Sequence, residues 1–128
     1  MKKILLLFIM LFFISPAFAS NWVQIGPKSY IDVDSIDINI KGVYSAWFKD
    51  LNPGNWVLQN NKKVWYQLSL INFKCNEKLI SSKSYAVYDL EGKILNSDFW
   101  DNYFWQPVIP DSIGELKYNA ICRPNKDY

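Results

Sequence analysis

Apolar and polar positions alternate with a period of two along most of the chain, and that period predicts strands. Trp22-Val23-Gln24-Ile25 is a short alternating stretch that ends at Gly26-Pro27, and Tyr30 to Val33 follows before a turn at Asp34-Ser35. Val43 to Leu51 predicts a strand with Val43, Ser45 and Trp47 on one side and Tyr44, Ala46 and Phe48 on the other. Asn52-Pro53-Gly54-Asn55 and Asn60-Asn61-Lys62-Lys63 are loop signals. Val64 to Cys75 is the longest strand candidate: Trp65, Gln67, Ser69, Ile71, Phe73 and Cys75 share one face. Asn76-Glu77-Lys78 then predicts a hairpin turn, Leu79 to Asp89 the return strand, and Asp89-Leu90-Glu91-Gly92 a second turn before another strand that starts over Lys93 to Asn96. Consecutive hairpins of this kind give an antiparallel meander.

Two segments break the period. Near the C-terminus, Ser112 and Glu115 fit an S-x-x-E capping box, and Ile113, Leu116 and Ala120 recur at helical spacing with Lys117 and Asn119 off that face. This predicts a short helix from about Ile113 to Ile121, ended by Arg123-Pro124 and docked on the sheet. At the other end, Lys2 and Lys3 precede an apolar run from Ile4 to Ile14, and Ala17-Phe18-Ala19 supplies a small-x-small cleavage pattern. A membrane-spanning helix needs about 20 apolar residues, and this run is shorter. Residues 1–19 therefore read as a signal peptide cleaved between Ala19 and Ser20. The expected fold is α+β and mainly β: a meander of about six strands with one C-terminal helix, in a single domain over residues 20–128.

Export changes the composition. The whole chain has 14 basic and 12 acidic residues, but Lys2 and Lys3 leave with the signal, so the mature charge is zero. Nothing then favours nucleic acid. No integral membrane segment follows signal removal, and Ser20, not cysteine, follows the cleavage point, so no lipid attachment is expected. Cys75 and Cys122 remain, and an even count in an exported chain reads as a disulfide that would tie the helix to the long strand. Free thiols or half of a metal site are the alternatives, although the chain contains no histidine, the usual co-ligand.

Catalytic chemistry is poorly represented. Histidine is absent and no Gly-rich phosphate loop is present. Asp98 and Asp101 could work as an acid/base pair, but solvated loop carboxylates describe them as well. Asp32, Asp34 and Asp37 lack the Gly and Glu spacing of a calcium loop, and a strand ending in an Asp/Ser turn explains them. No catalytic residue, metal or cofactor is expected. The densest anomaly is Phe99 to Trp105, where five of seven residues are aromatic. These rings either fill the space between sheet and helix or stand on the surface as contact anchors, since Trp and Tyr are enriched in binding hot spots. Trp100, Tyr103 and Trp105, with Trp56 beside Pro53-Gly54-Asn55, form the candidate binding surface.

The chain also resembles the surface-adhesin protein E family of Gram-negative bacteria. The similarity is carried by Tyr30-Ile31-Asp32 with Ser35-Ile36, by Val43 to Lys49 with Trp47, by Phe73-Lys74-Cys75, and by Tyr88-Asp89 with Gly92. It closes with Trp105, Pro110, Ser112, Gly114-Glu115, Tyr118 and Cys122. This resemblance implies a six-stranded antiparallel sheet with a helix fastened by the disulfide. It further implies an exported, non-enzymatic protein of the periplasm or cell surface that binds host matrix or serum proteins such as vitronectin, laminin and plasminogen. A periplasmic accessory or lysozyme-inhibitor-like role and a carbohydrate-binding module are the alternatives.

Overall fold

The computed structural model describes residues 20–52 and 62–123. The signal segment, the loop signals over 53–61 and Trp56 lie outside the described residues. Strands β1 (Trp22–Gln24), β2 (Ser29–Asp32), β4 (Tyr44–Leu51), β5 (Val64–Lys74), β6 (Leu79–Asp89) and β7 (Ile94–Phe99) form an antiparallel sheet in the order β1-β2-β4-β5-β6-β7. This is the expected six-strand meander. Two short strands are added to it: β3 (Asp37–Ile38) pairs with β4, and β8 (Gln106–Pro107) pairs with β6. A 3-10 turn, Val33–Ser35, joins β2 to β3 and is capped by Asp32.

Helix α1 (Ile113–Cys122) starts as its capping residues dictate: the Glu115 N–H donates to Ser112 Oγ at 3.1 Å, and Glu115 Oε1 accepts from the Asp111 N–H at 3.3 Å. The core lies between this helix and one face of the sheet. Ile31, Ala46, Phe48, Ile71 and Phe73 supply the sheet side, Ile25 the β1–β2 turn, and Tyr118 and Ile121 the helix. Phe48 and Phe73 are wholly buried and meet edge to face at 5.8 Å. The register explains the clustering, because Ile31 opposes Phe48, Ala46 opposes Ile71, and Tyr44 opposes Phe73.

The helix is rotated from its expected setting. Lys117, Tyr118 and Ile121 are buried, and Ile113 is exposed. Lys117 was expected off the packed face. It is buried because Asp50 meets it there: Lys117 Nζ lies 2.7 Å from Asp50 Oδ2, and Ser29 Oγ donates to Asp50 Oδ1 at 2.7 Å. The ammonium also lies over the Phe48 ring at 5.4 Å. Tyr118 contributes its ring to the core and donates its hydroxyl hydrogen to the Cys75 carbonyl. Cys75 and Cys122 form the disulfide, closing the helix end onto the end of β5.

Candidate functional site

β7 starts at Ile94, within the stretch where a strand is expected to begin, runs to Phe99 and then leaves the sheet. Residues 100–105 arch over the edge of β6 and return to it as β8. Three backbone donors fix this arc: Trp100 N–H to the Lys83 carbonyl (2.9 Å), Phe104 N–H to Ser81 Oγ (3.2 Å), and Val108 N–H to the Lys78 carbonyl (3.1 Å). β6 can hold both β7 and β8 because each pairs with a different half of it.

None of the five rings between Phe99 and Trp105 belongs to the sheet–helix core. The idea that they fill that space therefore fails: Ile, Phe and Tyr118 side chains already close the gap. Phe99, Tyr103 and Phe104 are exposed, while Trp100 and Trp105 are half-buried. Tyr103 and Trp105 stack with centroids 5.2 Å apart and planes 8° apart. Lys74 Nζ lies 4.7 Å from the Trp105 centroid, and Lys83 Nζ lies 5.6 Å from that of Tyr103. The structure thus brings two of the candidate residues together and places Trp100 elsewhere, 5.7 Å from Tyr85. A sugar would need a free ring face. Here each ring gives one face to the other and carries a lysine, which suits edgewise contact with protein.

Tyr103 and Trp105 also line a groove of about 840 Å³. Its other wall is the β3–β4 turn with Ile38, Ile40, Lys41 and Tyr44; Ile121 and the Cys75–Cys122 disulfide also border it. Sequence reasoning missed this wall. Its signal was the alternation of Ile36, Ile38 and Ile40 ahead of Lys41-Gly42, hidden beside the aspartates. Those aspartates serve the backbone. Asp32 Oδ1 accepts from the N–H groups of Asn21 (3.1 Å) and Asp34 (3.2 Å), and Asp37 accepts from that of Ile38 (2.8 Å). Asp98 likewise accepts from the Phe99 N–H at 2.8 Å.

Away from the helix, Lys49 reaches the rings of Trp22 (4.8 Å) and Tyr66 (4.9 Å), and Tyr66 stacks on Tyr88 at 4.7 Å. Burial, with Tyr88 beside it, pushes the Tyr66 hydroxyl pKa above its usual value. Asp89, at the end of β6, moves the other way. The N–H of Lys93 holds its carboxyl pKa below the ordinary carboxylate value against the effect of burial, and the N–H of Glu91 assists. No group of carboxylates, cysteines or histidines that could hold a metal occurs among the described residues.

The sheet is a meander backed by one disulfide-pinned helix, and the aromatic arc is held outside its core. The chain belongs to the surface-adhesin protein E family, whose sequence profile matches residues 22–123. It is an adhesin-like protein by that membership. No curated protein sequence matches it significantly. Its fold is similar to that of Haemophilus influenzae protein E. In crystal form II the TM-score is 0.61 at 10% identity, covering 83% of this chain and 90% of the other. A second structure of that protein gives 0.57 at 16% identity, covering 83% and 86%. No helix among the described residues is long and apolar enough to cross a membrane.

Proposed function

We propose that this protein is an exported, non-enzymatic adhesin of the Gram-negative envelope that holds host matrix or serum proteins through its aromatic arc. The observation that carries this reading is the arc itself. Five rings are fixed by backbone bonds outside a core that does not need them. Trp100, Tyr103 and Trp105 are its contact anchors, and Trp56 is added on sequence grounds. Family membership supports a binding role, and the absence of histidine speaks against acid/base catalysis.

Residues 1–19 act as the export signal with cleavage between Ala19 and Ser20, leaving one domain over 20–128 in the periplasm or at the cell surface without a lipid. The charged start, apolar run and Ala-Phe-Ala site support this, and the family profile begins just beyond, at residue 22. The test is capture of host matrix and serum proteins by the parent and by Trp100→Ala, Tyr103→Ala and Trp105→Ala, with near-ultraviolet circular dichroism to follow folding. Lost capture with an unchanged fold is expected. Unchanged capture by all three variants contradicts the assignment of the arc, and exclusive retention in the periplasm contradicts the adhesin role while leaving export intact.

A further inference from the structure

The sheet ends at β7, and among the described residues nothing pairs with its outer side. A free edge strand offers a row of backbone donors and acceptors, and proteins usually blunt one with lysine or proline. Ile94–Phe99 contains neither. Register fixes what this edge presents. Ile94, Ser97 and Phe99 oppose Tyr88, Ala86 and Ser84 and share one face of the sheet, while Asn96 and Asp98 oppose Val87 and Tyr85 and take the other. Ile94 is 58% and Phe99 65% exposed. The Trp100 N–H donates to the Lys83 carbonyl at 2.9 Å, so Trp100, Asp98 and Asn96 bond inward to β6 and the backbone groups of Ser97 and Phe99 point outward. The Phe99 N–H agrees with this, because it is capped away from β6 by Asp98 Oδ1 at 2.8 Å.

Side-chain order along the strand selects the occupant. β7 is aliphatic at its start and aromatic at its end, so an antiparallel copy of the same strand matches one end to the other. We infer that β7 pairs with β7 of a second copy of this chain about a two-fold axis at Ser97, joining two sheets into one. In that register Phe99 lies against the partner's Leu95, beside the exposed Ile94, and Asp98 lies opposite the partner's Asn96. Asn96 Nδ2 donates one hydrogen to Tyr85 Oη at 3.1 Å and has a second for that carboxylate. Neighbouring registers fail. A slip by a single residue sets opposite faces together. An axis at Asp98 sets carboxylate against carboxylate, and one at Asn96 sets Asp98 against Ile94. The register shift between Val87 and Tyr88 ends the regular edge at Leu95, so pairing runs from Leu95 to Phe99 and stops before the arc. Trp100 packs on Tyr85, on the face away from Phe99, and stays outside the pairing with Tyr103 and Trp105. Two arcs then stand on one assembly, which raises avidity for a repeating target. The inference goes beyond the adhesin reading and does not depend on it.

The test is sedimentation equilibrium of the protein, purified after export, from about 10 µM to about 1 mM. An average mass that rises with concentration from one copy towards two is expected. Ser97→Pro removes the outward N–H at the axis and leaves the bonds to β6 in place, so it should melt near the parent and stay monomeric. Asn96→Asp sets carboxylates against each other on both sides of the axis and should weaken dimerisation about tenfold, and adding Asp98→Asn should restore it. Asn96 and Asp98 are exposed, so this pair of variants reads the register even if Ser97→Pro fails to fold. The inference is overturned if the parent is monomeric throughout, or if folded Ser97→Pro or Asn96→Asp dimerises like the parent, which would put the contact on another surface. It is also overturned if Asp98→Asn does not restore dimerisation to Asn96→Asp. The arc variants should dimerise like the parent whatever they capture, so this inference and the adhesin reading fail separately.

Discussion

Removing the Asp50 carboxylate should be among the most damaging single changes to this fold. Asp50 Oδ2 lies 2.7 Å from Lys117 Nζ, and Oδ1 accepts from Ser29 Oγ at 2.7 Å. The side chains of Lys117 and Asp50 are only 8% and 13% exposed, so neither charge is well hydrated. Asp50→Ala leaves an ammonium buried against Phe48 without a counter-ion and a serine hydroxyl without its acceptor. Breaking a buried pair from one side costs about 3–5 kcal/mol, a large part of a typical net stability of about 5–15 kcal/mol. Removing both charges is different, because Asp50→Leu with Lys117→Met leaves no stranded ion. Adding Ser29→Ala removes the hydroxyl as well, and this triple variant should lie within about 1–2 kcal/mol of the parent. Urea unfolding with the disulfide intact measures both effects, and the parent pair should respond little to salt because it is buried. A loss under about 1 kcal/mol for Asp50→Ala, or a triple variant weaker than Asp50→Ala, refutes the reasoning.

Replacing both Cys75 and Cys122 by alanine opens a loop of 47 residues and should lower stability by about 4 kcal/mol on the chain-entropy estimate, read from urea midpoints. A Cβ on Gly26 would lie 2.6 Å from Leu116 Cδ2, the far end of a side chain that can turn aside, so Gly26→Ala should cost about 1 kcal/mol or less through a shifted Leu116 rotamer with the helix in place, and a drop in melting temperature equivalent to several kcal/mol would contradict that. Asp89 has a carboxyl pKa lowered by folding, so its contribution is present above the unfolded carboxylate pKa of about 4 and is lost as pH falls through the folded value. Asp89→Asn should therefore flatten the fall of stability in acid, and an unchanged slope would remove Asp89 from that account.

Much of this fold can be read from local pattern. β6 spans the residues its alternation predicts, Gly92 takes a positive φ (+80°) in the turn after it, and Ser112 caps the helix. β8 is two residues long, too short for any period to show, and Pro107 in it argues against a strand except at an edge; β3 is equally short, and the alternation of Ile36, Ile38 and Ile40 around it does not mark where pairing begins or ends. The helix setting was misread because lysine is normally excluded from cores, and its acceptor, Asp50, lies 67 residues away in sequence. The aromatic segment was conspicuous from composition. Its position outside the core was not, because that depends on β7 and β8 sharing β6. The alternation of Ile36, Ile38 and Ile40 was masked by the interleaved aspartates, which read as a strand ending in a turn, and Asp32 and Asp37 do accept from backbone N–H groups there.

Side-chain footprinting tests the adhesin reading most directly. The protein would be labelled with hydroxyl radicals, alone and bound to purified vitronectin or laminin, and the modification of each ring read by mass spectrometry. The account predicts protection of Trp100, Tyr103 and Trp105, with the sheet rings Trp22, Tyr66 and Tyr88 unchanged. Protection of those sheet rings while the arc stays fully reactive would contradict it.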